Sequence, residues 1–122
     1  MSIQLSLLSD NPETTERRVL TVSEITRRIK QTLETGFSSV SVEGEISNFK
    51  FHSSGHMYFA LKDSSATISA VIWRSKVQSL SFQPEDGMKV IANGRISVYE
   101  VRGSYQLDIT SMRPLGAGEL QV

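Results

Sequence analysis

VEGEISNFKFHSSGHMYFALKD, residues 42–63, is the stretch whose reading decides the fold. Val40, Val42 and Ile46 alternate along a first strand, residues 39–47, and Gly44 falls in phase with them. Alternation resumes at Met57 and runs to Lys62, which makes a second strand. The intervening FKFHSSGH reads as a loop holding two aromatics, a lysine, two histidines and a Ser-Ser-Gly turn. A half-buried strand gives one face to the core and the other to water. Here the wet face and the loop gather rings beside cations. Rings stack on unpaired bases and cations meet phosphates, so the mixture suits a single-stranded nucleic acid.

Working outward, residues 67–73 form a third strand, and 63–66 is a connection short enough for a hairpin. Pairing Lys62 with Thr67 sets Leu61 against Ile68, Phe59 against Ala70 and Met57 against Ile72, an apolar face throughout. The opposite face then pairs Ala60 with Ser69, Tyr58 with Val71 and His56 with Trp73. A one-residue slip would mix the faces, so this register is strongly preferred. Residues 74–82 read as a short helix with Val77 and Leu80 inward. A turn at 84–87 leads to a fourth strand, 88–99, with Val90, Ala92, Ile96 and Val98 inward and Gly94 in phase. Glycine inside a strand often marks a bend or bulge. EVRGS is a hairpin loop, and 105–112 is a fifth strand with Leu107 and Ile109 inward.

Upstream, Thr21 followed by Glu24 makes a capping box, with Leu20 and Ile25 as its hydrophobic staple. Val22, Ile25, Ile29 and Leu33 follow at helical spacing, and Gly36 ends the helix. Arg27, Arg28 and Lys30 lie off that stripe and read as a solvated face. The expected fold class is mainly β: a five-stranded OB-fold Greek-key barrel with an added N-terminal α-helix and a short helix between strands three and four. A flat five-stranded sheet and an SH3-like barrel are the alternatives. Residues 1–18 are expected to be a mobile tail, 19–115 the nucleic-acid-binding domain, and 116–122 the start of a truncated linker.

The chain has 122 residues, enough for one domain with a real core, and 39% of them are hydrophobic. No apolar run reaches the roughly 20 residues of a membrane helix, so no membrane partner is expected. The start lacks a basic leader and a long apolar core, so no signal peptide is read and a cytoplasmic location is expected. With no cysteine, disulfides and thiolate catalysis are excluded and a zinc site is disfavoured. Thirteen basic side chains balance thirteen acidic ones. A neutral chain is not a general polyanion binder, so any nucleic-acid site must be local.

In an OB-fold the usual ligand face is strands two and three with two flanking loops. This puts Tyr58, Lys62 and Trp73 on the open face. Lys50, Phe51, His52, Ser53 and His56 come from the first loop; Tyr99, Arg102 and Tyr105 flank the other. Arg74 and Arg95 complete the candidate cations. Phe49 reads as a core plug. His52 and His56 lack a third ligand nearby, so no metal is assigned. The close carboxylate pairs, Glu85 with Asp86 and Glu43 with Glu45, fall in a turn and on an outward strand face. No nucleophile, base and oxyanion hole come together, and no cofactor is implied.

Several strings resemble one family. LTVSEITRRIKQTLE, VSVEGEISNFKFHSSGHMYFALKD, ISAVIWRS, EDGMKVIANGRISVYEVRGSYQLDI and LGAGELQ are similar to the amino-terminal domain of the exonuclease VII large subunit. The resemblance covers residues 20–121. It implies an OB-fold that binds single-stranded DNA, in an enzyme that degrades such DNA to oligonucleotides. It also implies a nuclease centre further along the large subunit, and small subunits as partners. Catalysis is therefore not expected from this chain. Gln4, Leu5, Ser6, Leu7 and Leu8 resemble the pentapeptide that docks bacterial proteins on the polymerase sliding clamp, although that peptide usually ends in Phe. Two other readings stay open: an RNA-binding OB module of the anticodon type, and a structural docking domain whose aromatic face packs on protein.

Overall fold

Alternating apolar residues produce five strands, and the elements run α1 (Val22–Gly36), β1 (Val40–Phe51), β2 (Met57–Lys62), β3 (Thr67–Ile72), α2 (Arg74–Val77), β4 (Lys89–Tyr99) and β5 (Ser104–Pro114). The computed structural model describes residues 17–116. The strands close into a barrel in the order β1-β2-β3-β5-β4. β1 makes closure possible because two strands share it: Val40 to Glu45 pair with β4, and Glu45 to Phe51 pair with β2. The fold class is that expected from the sequence.

The β2–β3 register is the one derived from the apolar pattern, from Met57↔Ile72 through to Lys62↔Thr67. Met57, Phe59, Leu61, Ala70 and Ile72 are all buried. Each large apolar side chain so placed contributes roughly 1.5–3 kcal/mol. The turn is closed by Asp63, whose Oδ1 accepts from the Ser65 and Ala66 N–H groups at 2.8 and 2.9 Å. Those bonds hold its carboxyl below the usual carboxylate range.

β1 runs further than its alternation indicates. The sequence reading ends it at residue 47 and assigns Lys50 and Phe51 to a loop. Instead the ladder shifts register between Ser47 and Lys50 and then resumes, with Lys50↔Tyr58 and Phe51↔Met57. Asn48 takes a left-handed backbone, φ 53°, at that bulge. The Phe49 N–H donates to Asp86 Oδ1 at 2.9 Å, which pins the extra residue. An isolated period-two pattern cannot reveal a bulge, because the inserted residue breaks the period where the reading stops. The second helix is likewise shorter than the expected 74–82, spanning only Arg74–Val77. Ser79 turns its hydroxyl back to the Lys76 carbonyl at 2.8 Å, the competition with backbone that makes serine a poor helix former. Val77 and Leu80 still pack on the core.

α1 begins with the expected capping box: Thr21 Oγ1 accepts from the Glu24 N–H at 3.0 Å, and Glu24 Oε1 accepts from the Thr21 N–H at 2.8 Å. The helix covers the edge of β4 beyond Gly94, where pairing with β1 has ended. There the Ile96 N–H donates to the Phe37 carbonyl at 2.9 Å, and the Val98 N–H donates to Glu34 Oε2 at 3.0 Å. Lys30 Nζ holds the same Glu34 oxygen at 2.9 Å. This seats Glu34 against the barrel and rolls much of the apolar stripe outward. Val22, Ile25 and Ile29 remain 81%, 43% and 47% exposed.

Gly94 of β4 lies close against β5, beside a register shift in that ladder. A Cβ there would run into the Asp108 carbonyl oxygen. Gly94→Ala should therefore destabilise the chain by about 3 kcal/mol or more, read as a lowered urea midpoint. Glu34 supplies a second test. The Lys30 ammonium, then the Val98 N–H, hold its carboxyl below the ordinary value of 4.5. Its ionised form favours the fold, so that contribution is complete above the ordinary value and is lost as pH falls below it, through the lowered value of the folded state. Glu34→Gln should cost about 1 kcal/mol at neutral pH, and its stability gap to the parent chain should narrow progressively as pH falls below the ordinary glutamate value.

Candidate nucleic-acid interface

The pairing of Lys50 with Tyr58 sets a cation beside an outward ring. Strand alternation buries Phe59 at 5% exposure and leaves Tyr58 at 36%. Across the sheet the β4–β5 hairpin rises on a turn in which the Arg102 and Gly103 N–H groups both donate to the Tyr99 carbonyl, at 3.2 and 2.8 Å. Gly103 takes φ 67° there. Between these walls lies a groove of about 710 Å³, lined by Asn48, Lys50, Tyr58, Ala60, Ser69, Tyr99, Arg102, Ser104, Tyr105 and Gln106 among others. Neither Lys50 nor Arg102 has an acidic partner among the described residues. The groove thus offers two unpaired cations and three tyrosine rings.

One end of the groove continues into a cluster of rings. Tyr58 meets His52, His56 and Trp73 edge to face, at centroid distances of 6.0, 6.3 and 6.4 Å. His56 and Trp73 are closer, at 4.9 Å and 89°. Such edge-to-face contacts are the favoured arrangement of aromatic quadrupoles. Two backbone donors fix the imidazoles. The Arg74 N–H donates to His56 Nδ1 at 2.9 Å, and the Ser54 N–H donates to His52 Nδ1 at 3.1 Å. A neutral ring that accepts at Nδ1 carries its proton on Nε2, so each histidine has an N–H to donate at Nε2. The bond to Arg74 also ties the β1–β2 loop to the start of α2. Gly55, at φ 95°, leaves room for the Arg74 stem, whose Cδ would lie 2.7 Å from an added Cβ.

The structure separates the remaining sequence-predicted residues. Phe51 is exposed at the far end of β1, and Ser53 lies on the loop beyond it. Phe49 turns inward, its ring 6.1 Å from Phe59. Lys62 lies four residues beyond Tyr58, in a different hollow with Glu43, Glu45, Asp63 and Lys89. Arg95 Nη2 stands 3.5 Å from Asp108 Oδ2, so its charge is already engaged. Asp108 is buried and also accepts from Ser97 Oγ at 3.0 Å and Gln106 Nε2 at 3.3 Å. Gln4 to Leu8 lie outside the described residues. Asn48, Ser69, Ser104 and Gln106 line the groove and are additions to the residues expected from the sequence. For Ser69 the sequence holds a signal, since it alternates with inward neighbours, and Gln106 precedes the inward Leu107. For Asn48 it holds none, because the orientation follows from the bulge. Among the described residues no group of three or more His, Cys, Asp or Glu side chains could hold a metal, and no helix is long and apolar enough to cross a membrane.

Comparison with known proteins is consistent with this geometry. Residues 20–113 match the family described as OB-fold nucleic acid binding domain. The exodeoxyribonuclease 7 large subunit of Clostridium kluyveri is 56% identical over 105 residues, 84% of this chain and 26% of the relative. That of Bacillus cytotoxicus is 50% identical over 109 residues, 88% of this chain and 24% of the relative. That of Geobacter metallireducens is 49% identical over 107 residues, again 88% and 24%. The chain thus spans about a quarter of the length of these relatives. Among solved structures, the S. pombe Stn1–Ten1 complex is similar at TM-score 0.57 and 18% identity, covering 68% of this chain and 62% of that one. A replication protein A heterotrimer bound to single-stranded DNA is similar at TM-score 0.55 and 12% identity, covering 69% and 63%. These two likenesses establish the fold. The chain belongs to the OB-fold nucleic acid binding domain family, and its homologues are exodeoxyribonuclease 7 large subunits.

Proposed function

We propose that this chain is the single-strand-holding module of an exonuclease VII large subunit. The observation that carries the reading is the groove in which Tyr58 stands outward between two unpaired cations, Lys50 and Arg102. In this mechanism an unpaired base stacks on Tyr58. Lys50 and Arg102 meet its phosphates, and Tyr99 and Tyr105 offer further stacking faces. Trp73 and the Nε2–H donors of His52 and His56 extend the path past α2, where Arg74 adds a cation. Stacking suits every base, so binding tolerates most sequences.

The relatives are named for acting on deoxyribonucleic acid, and the replication protein A neighbour is bound to single-stranded DNA. The relatives' name supports DNA over RNA as the ligand. Hydrolysis to oligonucleotides belongs, on this reading, to parts of the large subunit outside this chain, where the small subunit also docks. The sliding clamp would be met by Gln4 to Leu8. The chain alone is expected to bind single strands without cutting them.

Titration of Trp73 fluorescence with poly-dT at two salt concentrations tests the reading. Tyr58→Ala should weaken binding about tenfold or more, since stacking is worth roughly 1–3 kcal/mol per base. Lys50→Ala should flatten the slope of log K against log salt by about 0.7, the loss of one phosphate contact. Unchanged titrations in both variants would remove the groove from the function. Tighter binding of a matched RNA oligomer would move the ligand to RNA.

A further inference from the structure

We infer that Asn48 is a base-edge reader, which makes the groove a detector of unpaired bases rather than of backbone alone. The inference rests on the single-strand reading above and adds to it a contact of a different kind.

The bulge determines where this side chain goes. Ser47 pairs with Ala60 and Lys50 pairs with Tyr58, so Asn48 and Phe49 together oppose the single residue Phe59. Phe49 takes the inward place against the Phe59 ring. Asn48 is left on the outside, where it lines the groove with Lys50 and Tyr58. Its φ of 53° is the left-handed conformation that asparagine tolerates better than most residues. Bulges commonly re-aim a side chain beside a functional surface. The Phe49–Asp86 bond and the ladder resuming at Lys50 hold this one in place.

The chemistry of the carboxamide narrows its use. The groove has two carboxamides among its lining residues, Asn48 and Gln106. Gln106 is engaged with Asp108, whereas the Asn48 side chain has no hydrogen-bond partner among the described residues. An amide sets one donor and one acceptor side by side. Every base shows the same pairing of functions on its Watson–Crick edge, and by turning over the amide can meet either order. That edge is free only in an unpaired base. A base stacked on Tyr58 with its edge toward Asn48 would thus be accepted whatever its identity, and a base already paired would not.

The test compares three strands of equal length: oligo-dT, an abasic oligomer, and oligo-N3-methylthymidine, which keeps stacking but blocks the edge. Asn48→Gly removes the amide and suits a positive φ, so the fold should be retained. The parent chain should bind oligo-dT about threefold to tenfold more tightly than the methylated strand, and the glycine variant should lose that preference. On the abasic strand the two proteins should bind alike, while Lys50→Ala weakens all three strands. The methylated strand tests the parent chain without any variant, so its binding as tightly as oligo-dT would overturn the inference while leaving the single-strand reading intact. Equal losses on dT and abasic strands in Asn48→Gly would do the same. No binding of any strand by the parent chain would overturn both.

Discussion

Met57, Phe59 and Leu61 fill the barrel, and successive residues of a strand point to opposite sides, so their burial turns Tyr58, Ala60 and Lys62 outward. The two sets cannot exchange. A slip of one residue would carry the Lys62 ammonium toward the core at a cost of several kcal/mol. The orientation of Tyr58 is therefore inherited from packing on the other side of the sheet, and so is its rigidity. From this one constraint the neighbours follow. Lys50 stands opposite Tyr58 on β1, Val71 opposite it on β3, and the short parallel pairing of Ala70 with Leu107 brings the β5 wall alongside.

Closure leaves one stretch of edge to be managed, and that decides how α1 sits. Past Gly94 the β4 donors at Ile96 and Val98 have no β1 residue beside them. Leaving both unsatisfied would cost about 1–3 kcal/mol each. Rolling the half-exposed Ile25 and Ile29 fully inward would gain roughly half a side-chain burial apiece, about 1 kcal/mol each. The polar contribution wins. Phe37 and Glu34 are turned to the edge, Lys30 follows Glu34, and the apolar stripe is left partly in water. The amphipathic pattern is sound evidence for a helix and poor evidence for its roll, because the spacing of apolar residues along one helix does not register an unpaired strand edge elsewhere.

The same distinction explains what else was legible. The β2–β3 register came straight from alternation, since only one pairing made a wholly apolar face. The capping box at Thr21 and Glu24 is local chemistry and needed no tertiary knowledge. Tyr58, Tyr99 and Arg102 could be gathered on one side because strand parity and hairpin position suffice to place them. What stayed hidden depends on contacts between distant segments. Asn48 points into the groove because Phe49 claims the core and Asp86, far along the chain, takes the Phe49 N–H. Arg95 looked like a free cation until Asp108 met it across the β4–β5 ladder. Lys62 looked like part of the face by parity, but parity does not say how far along the strand the groove extends.

The distribution of charge bears on how such a groove can choose its ligand. The whole chain is neutral, with thirteen charges of each sign. Arg95 is held by Asp108, and Lys62 shares its hollow with three carboxylates. Lys50 and Arg102 remain as the unpaired cations of the groove. With Arg74 beyond the ring cluster, three phosphate contacts on a single strand would give a log–log salt slope of only about −2, too shallow for electrostatics to dominate. On the proposed reading, stacking on the tyrosines and Trp73 supplies most of the affinity, at roughly 1–3 kcal/mol per base. That division matters for selectivity. A strongly basic groove would grip duplex and single strand alike, because both carry phosphates. A groove rich in rings and poor in cations rewards only bases whose faces are open, and a duplex keeps those faces stacked on one another.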